Sequence, residues 1–173
     1  MRLRSALRIA SAGIVLTACS TTDTTSPTTR LRPSIANSTQ AWGPEIPHFN
    51  LEIVLRGEGF GLVKFRQPND ASRIVNLGVS IRGVQPNAEY TLQRAVDTNL
   101  DGICTSTSWL TLGKGLVPQT IGTDRDGSGS EELFRDLGAL APGTTFDIQF
   151  RLVDATSGAV VLTSTCYQFT VSQ

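Results

Sequence analysis

The sequence has few of the residues that most enzymes use for catalysis. It contains one histidine, three cysteines and 6% aromatic residues. The single histidine, His48, leaves no cluster for zinc and excludes Ser-His-Asp catalysis in its usual form. The motifs G-x-S-x-G and S-x-x-K are absent, as is a phosphate-binding glycine loop. Glu131 and Glu132 are adjacent, so on a strand they point to opposite faces and cannot flank one glycosidic bond. We therefore predict that the protein is not an enzyme.

The chain also lacks an excess of positive charge. The chain contains 15 basic residues (lysine and arginine) and 15 acidic residues (aspartate and glutamate). Three of the basic residues, Arg2, Arg4 and Arg8, precede Cys19. The chain from Cys19 onward therefore carries 12 basic and 15 acidic residues. A mildly acidic chain without a basic cluster argues against nucleic acid as a partner.

No apolar run is long enough for a transmembrane helix, which needs about 20 residues. The run at residues 9–18 is about half that length and follows three arginines. A positive head, a short apolar run and small residues before Cys19 are the layout of a secretory signal. We therefore predict a signal peptide at residues 1–18.

The four residues that end this leader, Leu16, Thr17, Ala18 and Cys19, resemble the lipobox of bacterial lipoproteins. The resemblance implies that Cys19 is acylated and attaches the protein to the cell envelope through the membrane. Ser20, where an aspartate would favour inner-membrane retention, favours the outer membrane. Two alternatives remain, namely ordinary cleavage with an unmodified Cys19 and an uncleaved interfacial anchor.

A polar segment follows the cysteine. Residues 20–40 are dominated by serine and threonine and have almost nothing apolar to bury, which is typical of a disordered chain. We predict a lipid-anchored linker at 19–44 with a root-mean-square reach on the order of 25 Å.

The predicted folded part, residues 45–173, alternates apolar and polar side chains. Three stretches, FNLEIVLR, VNLGVSIR and FDIQFRLV, have a period of two, and glycine-rich or asparagine-rich turns separate them. This pattern is typical of antiparallel strands with one buried face, and no segment keeps a helical period. The fold class that we predict is all-β, as a single antiparallel β-sandwich of about seven to ten strands.

Two short segments, 86–90 and 142–146, each run from a proline through a turn to an aromatic residue that opens a strand. They resemble the loop-to-strand corner of immunoglobulin-like and fibronectin type III domains. The resemblance implies that the Tyr90 hydroxyl bonds back to the preceding loop, which Phe146 cannot do.

Cys104 and Cys166 remain once Cys19 is assigned to lipid. Two remaining cysteines in an exported protein are expected to pair, so we predict a structural disulfide between them. It would clip the loop that ends at Cys104 to the last strand.

Two acidic loops, 97–102 and 124–129, match the first half of a calcium-binding loop. The glutamate expected at the twelfth position is missing, since Ser108 and Arg135 stand there. Asp, Asn and Gly are also common turn residues, so we predict structural turns for both loops and no cofactor, with a calcium site as the alternative. In that alternative, loops from one end of the sandwich pool their oxygens around one calcium ion. The candidate ligands are Asp97, Asn99, Asp101, Asp124 and Asp126.

Trp109 is expected in or near the core, and a ligand platform is the alternative. Five arginines alternate with apolar positions on the predicted strands and are expected on solvent faces: Arg56, Arg66, Arg82, Arg94 and Arg151. The predicted function is a non-catalytic, lipid-anchored envelope protein that displays a β-sandwich as a binding or structural module for a protein or envelope ligand. A calcium-dependent adhesion or ligand-binding module is the alternative.

Overall fold

The computed structural model of the chain describes residues 50–68 and 70–172. The predicted signal peptide at 1–18, the predicted lipidation site Cys19 and the linker at 19–44 lie outside these residues. Within the described ranges, no helix is long and apolar enough to cross a membrane.

The described residues form twelve β-strands joined by turns and contain no helix. The strands are β1 (Asn50–Gly57), β2 (Phe60–Arg66), β3 (Ile74–Arg82), β4 (Glu89–Asp97), β5 (Leu110–Thr111), β6 (Gly113–Lys114), β7 (Val117–Pro118), β8 (Thr120–Gly122), β9 (Gly129–Asp136), β10 (Thr145–Asp154), β11 (Val160–Ser164) and β12 (Tyr167–Thr170). The prediction of an all-β fold is confirmed.

Strand alternation places the apolar side chains inside. In β1, Leu51, Ile53 and Leu55 are buried, and the side chains between them are exposed or half-buried. The same period of two continues through β2 and β3. Side chains two residues apart share one face of a strand, so these strands turn one continuous apolar face to the core.

Most strands belong to one sheet that nearly closes on itself. Its order is β5-β4-β10-β11-β1-β2-β3-β9-β6-β7, with β12 on β10 and β8 on β4. β5 pairs with β4 near one end of this order and β6 pairs with β9 near the other. Only Leu112 separates β5 from β6, so one stretch of chain joins both ends of the sheet into a barrel-like arrangement.

The strand registers define two ends of the domain. Asn50 pairs with Arg66, Ile74 with Asp136, and Asp147 with Asp97. These pairs lie at one end, called here the Asn50 end, which also holds the start of β10 and the residues after β4. The opposite end holds the start of β4 and the turn between β1 and β2.

Aromatic side chains fill the core toward the Asn50 end. The Phe65 ring meets Phe169 edge-on, with the ring centroids 4.7 Å apart, and Phe150 at 6.0 Å. Edge-to-face pairs of this kind contribute about 0.5 to 1.5 kcal/mol each beyond the area that they bury. The same end of the core is not completely filled.

Tyr90 forms the corner contact that the sequence predicted. Its ring is 1% exposed, and its hydroxyl accepts a hydrogen bond from the Gln85 backbone N–H at 3.0 Å. The bond ties the loop between β3 and β4 to the start of β4. The structure therefore confirms the predicted tyrosine-to-loop bond.

Candidate functional site

A cavity of about 280 Å³ opens at the Asn50 end between the barrel interior and the 137–144 segment that follows β9. Its floor consists of buried apolar side chains, including Phe65, Leu77 and Ile148. Leu140 forms part of its outer wall and is 39% exposed, so the cavity reaches solvent. This cavity lies where the core side chains end.

The 137–144 segment is held over the cavity by backbone hydrogen bonds at both ends. Leu137 N–H donates to the Arg73 carbonyl at 3.0 Å, and Gly143 N–H donates to the Val171 carbonyl at 2.8 Å. Gly138 has a φ of 59°, a left-handed conformation that glycine adopts without strain, and so lets the chain turn away from β9. The cavity wall is thus part of the folded domain.

Arg94 points into the cavity. It follows Tyr90 and Leu92 at a period of two on β4, and both of those side chains are buried in the core. The expectation that Arg94 lies on a solvent face is therefore wrong, because strand alternation puts it on the inner face. It occupies the point where the apolar core gives way to the cavity.

Arg135 lines the cavity from the facing strand, β9. It lies two residues after the buried Leu133, and its Nη1 donates to the Gly115 carbonyl at 3.2 Å. In the part of the chain that the structure describes, the one ion pair joins Lys114 to Glu131. Within that part, neither Arg94 nor Arg135 is paired with a carboxylate.

The Arg135 guanidinium acts on that of Arg94. Burial, and after it the positive charge of Arg135, lower the pKa of Arg94. Arginine nevertheless stays protonated in proteins, so the cavity holds two positive charges in apolar surroundings. A desolvated charge without a counter-charge costs free energy, which a bound anion would recover.

The loop between β4 and β5 is anchored to the outer face of the sheet by two carboxylates. Asp147, which is fully buried, accepts the Gly102 N–H at 2.8 Å through Oδ2. Asp97, its register partner, accepts the N–H groups of Thr105 and Ser106 at 2.8 and 3.0 Å. Both aspartates therefore position this loop.

Cys104 and Cys166 form a disulfide, with their Cα atoms 5.3 Å apart. Both residues are half-buried, and the bond joins the β4–β5 loop to the residue before β12. The predicted pairing, and the predicted clip between loop and last strand, are confirmed.

The two acidic loops do not come together. The loop at 97–102 follows the end of β4, whereas 124–129 lies near its start, since Gly122 pairs with Glu89. Nine residues of strand separate the two ends, on the order of 26 Å. The calcium alternative, in which the loops pool their ligands, does not fit this arrangement, because the loops lie at opposite ends of β4. Among residues 50–68 and 70–172, no group of three or more histidine, cysteine, aspartate or glutamate side chains is placed to hold a metal.

The carboxylates in these loops act in turns. Asp101 Oδ1 accepts the Ile103 N–H at 2.9 Å, and the Asn99 amide donates to the other oxygen. Asp124 Oδ1 accepts the N–H groups of Asp126 and Ser128 at 2.8 and 2.9 Å. These side-chain-to-backbone bonds match the structural role predicted for both loops.

Trp109 lies on the outer face of the sheet and is half-buried. The Arg151 guanidinium covers its ring, 4.1 Å from the centroid, and Arg151 Nε donates to Gln93 Oε1 at 2.8 Å. The position matches the semi-core prediction. Of the other arginines predicted on solvent faces, Arg56, Arg66 and Arg82 are exposed.

Sequence reasoning missed Arg135, Asp147 and the 137–144 segment as functional or positioning elements. Arg135 was considered only because it stands where a calcium-binding loop would have a glutamate. Its spacing from Leu133 nevertheless places it on the inner face. Asp147 carried no signal, because its burial depends on a distant loop folding over it.

No protein-family model matches the chain. A search of curated proteins finds no significant match to it.

Proposed function

We propose that this protein is a non-catalytic, lipid-anchored component of a bacterial cell envelope, and that its β-domain binds a small ligand in the cavity at the Asn50 end. The observation that carries the proposal is the cavity itself, with apolar walls and the side chains of Arg94 and Arg135 turned inward. Ligand sites are typically concave and mostly apolar, with a few charged or polar groups that orient the ligand.

The anchor is proposed from the leader. The residues from Leu16 to Cys19 fit a lipobox, so the mature protein would begin at an acylated Cys19, with the outer membrane favoured. Two or more acyl chains hold a protein on a membrane durably, because each buried CH₂ contributes about 0.8 kcal/mol. The mass of the mature protein tests this step: a diacylated or triacylated Cys19 supports it, and an unmodified Cys19 contradicts it.

A binding role fits the chemistry of the cavity better than catalysis. Its charged groups are arginines, which stay protonated and so do not exchange protons during a reaction. Glu131, on the same strand as Arg135, is bonded to the Lys114 ammonium at 2.9 Å, which lowers the pKa of the carboxyl and keeps it ionised. Lys114 therefore makes Glu131 a poor general acid.

The nearly closed sheet is proposed to be a variant of the immunoglobulin-like sandwich. The support is the corner at Tyr90, whose bond to Gln85 corresponds to the feature that prompted the resemblance. This interpretation concerns architecture, and the binding proposal does not depend on it.

A neutral fluorophore tests the binding proposal without assuming the chemistry of the natural ligand. We expect N-phenyl-1-naphthylamine to bind the folded full chain, carrying Cys19→Ser to prevent acylation, at one site per molecule. Val96 and Thr98 line the cavity, so Val96→Trp or Thr98→Trp should fill it and abolish binding. Thr98 is exposed, so it should accept the larger side chain without loss of folding.

The matched control is Val160→Trp, on an exposed residue at the opposite end. Binding should be unchanged in this variant. The absence of saturable binding, or equal binding by all three tryptophan variants, contradicts a ligand site in this cavity.

A further inference from the structure

The cavity wall consists mostly of apolar side chains and includes a few polar ones. Most of the lining is aliphatic or aromatic, and the polar contributions are two arginines and three threonines. No carboxylate from residues 50–68 or 70–172 lines it. The cavity therefore favours anionic ligands over cationic ones, since it offers positive charge and hydrogen-bond donors in apolar surroundings.

The size and exposure of the cavity limit the shape of its ligand. At about 280 Å³ it lies just below the usual range for small-molecule sites, about 300 to 1,000 Å³. Its floor lies among buried core side chains and its mouth is at Leu140 and Thr98, which are exposed. The cavity therefore fits a narrow, largely apolar ligand.

The two arginines determine the charge of that ligand. Each guanidinium presents donors in a planar fork that matches the oxygens of a carboxylate or a phosphate. Arg94 has no hydrogen-bond acceptor among the residues that the structure describes, and Arg135 uses one nitrogen on Gly115. Donors on both side chains are thus left for an anionic group placed between β4 and β9.

We infer that the ligand of this cavity is a single acyl chain that carries an anionic head group, with the chain among the apolar side chains and the head group on Arg94 and Arg135. The inference rests on the proposed function, since it names the ligand class of the same cavity. Both a free fatty acid and a single-chain phospholipid have this chemistry. The chain would replace water against Leu77 and Ile148, and the head group would neutralise the two guanidinium groups.

The position of the cavity in the domain agrees with a lipid ligand. Asn50, the first described residue, lies at the same end of the barrel as the cavity mouth. A chain that arrives from a lipidated Cys19 therefore enters the domain at the end where the cavity opens.

Three probes that share one chain length test the ligand class. We would compete decanoate, 1-decanol and decyltrimethylammonium against bound N-phenyl-1-naphthylamine on the full chain with Cys19→Ser. Decanoate should compete at least about tenfold more strongly than 1-decanol, because a charge-assisted hydrogen bond contributes roughly 1.5 to 3 kcal/mol. The cationic probe should compete most weakly.

The arginine variants test the assigned residues. Arg94→Met keeps a long side chain without charge, so it should weaken decanoate competition at least about tenfold and leave 1-decanol unchanged. Arg94→Lys should keep part of the preference for the anion. The matched control, Arg66→Met, removes an exposed arginine at the same end that does not line the cavity, and it should bind all three probes as the parent does.

The outcomes separate the two proposals. Fluorophore binding at the cavity with equal competition by decanoate and 1-decanol overturns the ligand class and leaves the binding function standing. No fluorophore binding overturns both. An equal loss of decanoate binding in Arg66→Met and Arg94→Met also overturns the assignment, because surface charge would then explain it. Decyl phosphate as a fourth probe distinguishes the sources, since tighter binding than decanoate indicates a phospholipid and weaker binding a fatty acid.

Discussion

Removal of the disulfide should cost this domain a large part of its stability. Cys104 and Cys166 are 62 residues apart, and the bond closes that loop in the unfolded chain as well as in the folded one. In the chain-entropy model, a loop of this length stabilises the folded state by about 4 kcal/mol at 25 °C. A small domain has a free energy of unfolding of only about 5 to 15 kcal/mol, so the double variant Cys104→Ala/Cys166→Ala should be only marginally stable.

Equilibrium urea unfolding measures this loss. With a slope of about 1 to 3 kcal/mol per molar urea, the midpoint should fall by more than about 1 M. Cys19→Ser in both proteins prevents disulfide exchange, and the reduced parent should resemble the double variant. A loss below about 1 kcal/mol would refute the reasoning, because the other contacts of the loop would then hold the chain equally well without the bond. Those contacts are the hydrogen bonds that backbone N–H groups of the loop donate to the carboxylates of Asp97 and Asp147.

Three further predictions concern local contacts. Tyr90→Phe should destabilise the domain by about 1 to 2 kcal/mol, since the Gln85 N–H loses its acceptor in a partly buried hydrogen bond; no change in the urea midpoint would contradict the corner bond. Hydrogen bonds from Ser157 lower the pKa of Asp154 below 3.8. The ionised carboxylate therefore stabilises the folded state at pH values above its pKa in the unfolded chain. This stabilisation is lost as the pH falls through the lower pKa of the folded state. Asp154→Asn should therefore lower the melting temperature at pH 7 and make little difference near pH 2, and a constant difference across pH would count against this. Millimolar calcium should leave the melting temperature unchanged, because the acidic loops lie at opposite ends of β4; a rise reversed by chelator would restore the calcium alternative.

The strands could be predicted from sequence because their signal is local. In FDIQFRLV the alternation alone placed Phe150 and Leu152 in the core, and both are buried. The same rule also indicates the inner position of Arg94, two residues after Leu92, although an arginine at an inner position contradicts the usual preference for solvent. Strand alternation alone was therefore sufficient to place Arg94 on the inner face. The usual preference of arginine for solvent gave the wrong prediction at this position, where the core gives way to the cavity.

Closure of the sheet could not be predicted, because it depends on pairings between distant strands. The five residues from Leu110 to Lys114 contact β4 at one point and β9 at another, and nothing in their sequence specifies either partner. The burial of Asp147 has the same origin, since the loop that covers it begins about 50 residues earlier in the chain. The cavity results from such long-range pairings, and only its individual wall residues have a local signal.

The position of a bound acyl anion tests the central claim most directly. Methyl groups of valine and leucine line the cavity at Val75, Val96, Leu137 and Leu140, and others lie far from it at Val160 and Leu162. In methyl NMR spectra of the full chain with Cys19→Ser, decanoate should shift the first group in a saturable manner and leave the second unchanged. Shifts centred on exposed apolar residues outside the cavity, such as Leu116 and Val117, would contradict the assignment of this cavity as the ligand site.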